Sequence, residues 1–161
     1  MPTLENPALE PIETGMRRLA PSLLRTVAET AEAFFAGRAD LEPAWDGSGL
    51  RDNAALNCSQ MNIGEGFELL CCLTTDIGGF DRLFPADVPE PIKMDAYCEL
   101  ANCICGAILA DEGFADRFGY MTPCVPCLRP GRIRPGSRAL RGALRMKGAR
   151  IHFSLALRPL D

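Results

Sequence analysis

The segment from Ser137 to Leu157 constrains the fold of this 161-residue chain more than any other. Leu140, Leu144 and Met146 alternate with Arg141, Arg145 and Lys147. Gly148 turns the chain, and Ile151, Phe153, Leu155 and Leu157 then alternate with Arg150, His152 and Ser154. A period of two along both arms is the pattern of an antiparallel hairpin with one face on a core and one in water. A sheet with one apolar face needs a layer to cover it.

Two helical patterns supply that layer. Met16, Leu19, Ala20, Leu23, Leu24, Val27, Ala31, Phe34 and Phe35 recur at i, i+3, i+4 and i+7, which predicts a long helix. Thr14 suits its N-cap and Gly37 its C-cap, with Pro21 either kinking the helix or marking its start. Residues 1–13 carry three prolines and no periodicity and are expected to be a flexible or irregular lead-in to a single domain spanning 14–161. The second pattern is KMDAYCELANCICGAILADE, Lys93 to Glu112. At roughly 100° per residue, Tyr97, Leu100, Ala101, Ile104 and Ile108 share an apolar face. Asp95, Glu99, Asn102 and Gly106 form a narrow stripe on the other side. A solvated face would carry long Lys, Arg and Glu stems. A carboxylate and a carboxamide three residues apart, with a glycine one turn on, are a different composition. Asp95, placed in the first turn, also suits the helix dipole.

The remaining elements are shorter. Asn53–Met61 and Phe67–Thr75 read as strands joined by a turn at Asn62–Gly66, with Phe67, Leu69, Cys71 and Leu73 on one face. Residues 37–49 read as a loop anchored by Trp45, the only tryptophan. Thr75 or Asp76 suits the cap of a short helix reaching Phe84, and Pro85, Pro89 and Pro91 then break the chain. Gly113 is placed at the end of the central helix and 114–119 in an irregular link. Tyr120–Val125 reads as a short edge strand because Pro123 and Pro126 bar a central one, and Arg129–Gly136 as a loop. The fold class is α+β: two long helices packed on one face of an antiparallel β-sheet.

Composition limits the function. No apolar run approaches the ~20 residues of a membrane span, and no secretory signal is visible, so the expected location is the cytoplasm. From Arg129 onward there are nine basic residues and one acid within a net charge of −4. They alternate with apolar residues and lack interleaved aromatics, which reads as the solvent side of strands and not as a nucleic-acid platform. Cys124-Val-Pro-Cys127 has the spacing of zinc and thiol-exchange sites. Zinc would need two more ligands, and Cys103 and Cys105 diverge by about 200° on a helix. With loop residues around the pair, eight reduced thiols are the simpler reading. His152, the only histidine, is expected to be structural or solvated, and no Walker A, GxGxxG or Ser-His-Asp pattern is present.

Asp95-x-x-x-Glu99-x-x-Asn102, followed by Pro123, resembles the signature of the CheX/CheC/FliY family of chemotaxis phosphatases. The single copy is closest to CheX, and the fold implied is CheC-like. The resemblance implies that Glu99 docks a lysine of a phosphorylated CheY-like receiver domain and that Asn102 orients the attacking water. Asp95, Gly106 and Pro123 support the motif. The phosphoaspartate and Mg²⁺ belong to the receiver, so no cofactor is expected on this chain. A homodimer through sheet edges is also implied. The alternative is a non-catalytic module of the same fold that binds a receiver or dimerises.

Overall fold

The computed structural model describes residues 9–131 and 138–160. Seven strands, β1 (Asp40–Pro43), β2 (Ala55–Gly64), β3 (Phe67–Asp76), β4 (Met121–Pro123), β5 (Cys127–Pro130), β6 (Leu140–Met146) and β7 (Ala149–Pro159), form one antiparallel sheet. Its order is β1-β6-β7-β3-β2, with β4 and β5 laid end to end along the outer side of β2. Helices α1 (Leu9–Phe35) and α3 (Glu90–Leu109) carry the core stripe, and α2 (Ile77–Arg82) and α4 (Glu112–Phe118) are short. The expected α+β architecture is the one observed.

The hairpin forms as its alternation requires. Lys147 and Gly148 both have positive φ, 50° and 74°, the conformation of a two-residue turn whose twist matches the strands it joins. Ile151, Phe153 and Leu155 are buried against Leu144, Leu73 and Cys71 in the core beneath the helices. The opposite face departs from expectation: His152 and Ser154 are buried, not in water. Trp45 meets His152 edge-on at 5.3 Å and lies 3.7 Å from the Arg150 guanidinium carbon, so the loop after β1 anchors on this face. The arginines are paired across the sheet. Arg145 and Arg150 both bind Glu42, and Arg158 binds Glu68.

Several boundaries move. The first helix is described from Leu9, ahead of Thr14, so residues 9–13 are helical rather than an irregular lead-in; residues 1–8 lie outside the described residues. Pro11 falls in the first turn, where amides have no intrahelical acceptor and proline is tolerated. Ile12 and Met16 extend the buried stripe of Leu23, Val27, Ala31 and Phe35. The same reason brings α3 forward to Glu90, with Pro91 in its first turn and Pro89 as N-cap. Asp95 is therefore past the first turn, where Glu90 is the acidic residue.

At the far end α3 stops at Leu109. Asp111 accepts from the Phe114 amide at 3.0 Å and opens α4, so Gly113 lies inside a helix and 114–118 are not irregular. Asp76 caps α2 on the Gly79 amide. Asn62, Ile63 and Gly64 continue β2 instead of turning, leaving Glu65-Gly66 between β2 and β3. Residues 40–43, placed in a loop by sequence, pair with β6 as β1. Residues 127–130 pair with β2 as β5. The rest of the Arg129–Gly136 loop, 132–136, lies outside the described residues, as does Ser137 of the expected hairpin.

Candidate functional site

The site begins with the register of β2. Cys58, Gln60 and Asn62 pair with Leu73, Cys71 and Leu69, all core residues, and so face α3. A helix-facing strand position is ordinarily apolar. Here Gln60 and Asn62 are 1% and 0% exposed. Asn62 Nδ2 donates to the Leu69 carbonyl at 3.2 Å and to Cys105 Sγ at 3.4 Å. Gln60 Nε2 donates to Asn102 Oδ1 at 3.0 Å. The Gln60 Oε1 has no partner among the described residues, and an unpaired buried acceptor costs about 1–3 kcal/mol.

The apolar side of α3 fixes the rotation of the helix. Tyr97, Leu100, Ala101, Ile104 and Ile108 are buried as the periodicity requires. That rotation leaves Asp95 and Glu99 exposed and Asn102 half-buried along the outer rim of the sheet. The facing wall comes from the edge. β4 covers Asn62–Gly64 of β2 and β5 covers Leu56–Ser59. Between them the chain bows outward at Cys124–Pro126, tied back by the Cys124 amide on the Met61 carbonyl at 2.8 Å. An open cleft of about 340 Å³ results, lined by Asp95, Cys98, Glu99 and Asn102 from α3 and by Pro123, Cys124, Val125 and Pro126 from the edge.

Four of the five residues singled out from sequence, Asp95, Glu99, Asn102 and Pro123, thus line one cleft. Gly106 lies one turn beyond it and is exposed. A Cβ built there meets nothing within 4 Å, so no contact inside the chain requires glycine. Sequence reading missed Gln60. Both faces of β2 mix polar and apolar side chains, and only the pairing with β3 tells which face meets the helix.

The thiols surround this site. Cys98 lines the cleft and its sulfur lies 3.7 Å from that of Cys58, which is fully buried. Burial, and next the neighbouring Cys98, push the Cys58 thiol far above its usual range. The Cys103 thiol lies 3.6 Å from Glu99 Oε1; burial and this carboxylate raise it. Cys105 is held below the usual range by the hydrogen bond from the Cys71 thiol and by that from Asn62, while Cys71 is raised by its bond to Cys105 and by burial. All eight cysteines are free. In the Cys124-x-x-Cys127 pair, Cys124 is exposed and Cys127 lies within β5, its sulfur 3.2 Å from Arg129 Nε. The electrostatics of the cleft rest on Asp95 and Glu99, with no cation in its lining.

No family model matches the chain, and no curated protein matches its sequence. Solved structures do. CheX from Vibrio vulnificus superposes with a TM-score of 0.62 at 14% identity, over 84% of this chain and 93% of that one. CheX from Borrelia burgdorferi, solved with CheY, BeF₃ and Mg²⁺, gives 0.59 at 14% identity over 84% and 95%. The fold is that of the CheX and CheC-like chemotaxis proteins. A CheC-like superfamily protein from a Shewanella species, at 0.58 and 10% identity over 84% and 94%, shares it as well. In this CheX-like fold the cleft between α3 and the β4–β5 edge gathers Asp95, Glu99, Asn102 and Pro123. No described helix is long and apolar enough to cross a membrane.

Proposed function

We propose that this chain is a phosphatase for the phosphoaspartate of a CheY-like receiver domain, acting in the cytoplasm. The observation that carries the reading is the placement of Glu99 and Asn102 on the rim of one open cleft. A CheX neighbour solved in complex with CheY supports the choice of partner.

The chemistry asks little of this chain. Hydrolysis of an acyl phosphate depends mostly on positioning and charge neutralisation. The receiver brings the phosphoaspartate and Mg²⁺, and the ion offsets charge on the phosphoryl oxygens. Asn102 enters the receiver's site, and its carboxamide holds a water in line with the phosphorus by donating from Nδ2 or accepting at the remaining lone pair of Oδ1. The amide does not ionise, so its part in the reaction is insensitive to pH near neutrality. Glu99, exposed one turn earlier, pairs with a receiver lysine and sets the register. Val125, 87% exposed on the opposite wall, gives the receiver an apolar contact.

The same exposed Val125 would serve a docking module without chemistry, which is the second reading. A homodimer through a sheet edge belongs to the proposal too. Both edges carry prolines, Pro43 in β1 and Pro123 and Pro130 in β4 and β5, so pairing along either is limited to short stretches. Sedimentation at micromolar concentration tests it, and a monomer there removes the dimer from the account.

The test of function is the decay of a radiolabelled phosphoreceiver from the same organism. Wild-type protein should accelerate the loss of label catalytically, and Glu99→Ala should raise the receiver concentration needed for half-maximal rate about tenfold. Binding to the phosphoreceiver without faster decay would leave the docking reading in its place.

A further inference from the structure

The Asn102 carboxamide is tied at its oxygen. Its Oδ1 accepts from Gln60 Nε2 at 3.0 Å, across the interface between α3 and β2. Gln60 is 1% exposed and reaches Asn102 from the sheet beneath the cleft. We infer that Gln60 is a positioning residue that fixes the Asn102 carboxamide for the reaction, an inference that rests on the phosphatase reading.

Three observations bear on it. First, Gln60 occupies a core-facing strand position, paired with Cys71, where an apolar side chain would fill the space without leaving an acceptor unpaired. Packing alone therefore does not account for a glutamine there. Second, its amide nitrogen has Asn102 as its side-chain partner among the described residues, so the hydrogen-bonding capacity that Gln60 uses is spent on the reacting group. Third, the bond couples two amides. If Asn102 alone flipped, its NH₂ would face the NH₂ of Gln60, two donors in contact, so the pair must flip together or not at all. Gln60 is paired with Cys71 of β3 on one side and lies in the gap between β5 and β4 on the other, where the Cys124 amide ties the bowed edge to the next residue, Met61; the orientation it supports must hold within a fraction of an ångström.

The test is a double-substitution cycle on the full chain, read by phosphoreceiver decay. Gln60→Met keeps the length and removes the donor. It should lower turnover about tenfold while the receiver concentration for half-maximal rate stays within twofold. In an Asn102→Ala background the same change should have no further effect, because Gln60 acts only through Asn102. Equal losses in both backgrounds, or no loss in either, would overturn the inference and leave Gln60 a core residue.

A second arm needs neither activity nor a substitution. In wild-type protein a scalar coupling should pass through the hydrogen bond from Gln60 Nε2 to Asn102 Cγ, with slow rotation of the Asn102 amide. An uncoupled, freely rotating Asn102 amide overturns the positioning role. If wild-type protein dephosphorylates no cognate receiver, the phosphatase reading falls, and this arm still decides whether Gln60 fixes Asn102.

Discussion

Cys58 and Cys98 touch sulfur to sulfur at 3.7 Å, joining β2 to α3 one residue ahead of Glu99. The contact sits at the floor of the cleft, with Cys98 on its wall and Cys58 fully buried. The thiolate is the reactive form of cysteine; burial raises the Cys58 thiol, and the bond to Cys105 together with burial raises that of Cys71. Cys124 is exposed on the outward bow of the edge, open to a reagent in solution. Labelling native protein with a thiol reagent and mapping the products should find Cys124 modified first and Cys58 and Cys71 only upon unfolding. Cys58 labelled as fast as Cys124 would mean that the α3–β2 interface is open.

Buried thiols also set the alkaline limit of the fold. Burial, offset in part by the bond to Ser154, pushes Cys72 from the ordinary 9.0 up to about 11. A group whose folded-state value is raised stabilises the fold fully below the unfolded-state value. That stabilisation is lost as pH climbs from 9 through about 11. For Cys72 alone the loss is on the order of 2 kcal/mol, and Cys58, Cys71 and Tyr97 shift in the same direction. The urea midpoint should hold steady from neutrality to pH 9 and then fall. Cys72→Val should make that fall shallower, and an unchanged slope would remove Cys72 from the explanation.

Gly106 separates the stability of α3 from its use. A glycine inside a helix costs about 1 kcal/mol relative to alanine, and nothing within 4 Å would obstruct a Cβ. Gly106→Ala should therefore stabilise the protein by about 0.5–1 kcal/mol in urea unfolding. If a receiver packs along this stripe, as proposed, the same change should weaken receiver affinity. A destabilised Gly106→Ala protein would contradict the local packing described for α3.

How much of this was legible in the sequence depends on the length and period of each element. The β6–β7 hairpin and the α3 stripe repeat over many residues, so burial of Phe153 or Ile104 follows from spacing alone. Strands β1 and β5 are four residues long and end in Pro43 and Pro130; pairing with a neighbour, not local pattern, makes them strands. Prolines misled in the opposite way at Pro11 and Pro91, which read as breakers but sit in first turns where they break no hydrogen bond. The site divides similarly. Glu99 and Asn102 share a helix face, so their proximity was legible, and the return of Pro123 to that face rested on the resemblance. Gln60 was not legible, because its facing residue lies 42 positions away and is set by the β2 register.

The bowed edge gives a test of docking that leaves the core untouched. Val125 is 87% exposed and lines the cleft opposite Glu99. Val125→Glu adds a charge where the proposed receiver contact is apolar, beside the existing Asp95 and Glu99. It should weaken receiver affinity roughly tenfold, about 1.4 kcal/mol, with no change in melting temperature. Unaltered affinity would place the receiver away from this wall.

The central claim is that Asn102 acts on the reacting water and Glu99 on the register, and one measurement separates the two most directly. Single-turnover decay of a phosphoreceiver should be followed at saturating concentrations of wild-type and Asn102→Ala protein, with affinity measured in parallel on a beryllofluoride–Mg²⁺ form of the receiver. The account requires Asn102→Ala to lose at least a hundredfold in the saturated rate while binding within about threefold of wild type, a loss near 2.7 kcal/mol in the transition state alone. A saturated rate that survives the substitution would contradict it, and the water would then have to be held by a group other than Asn102.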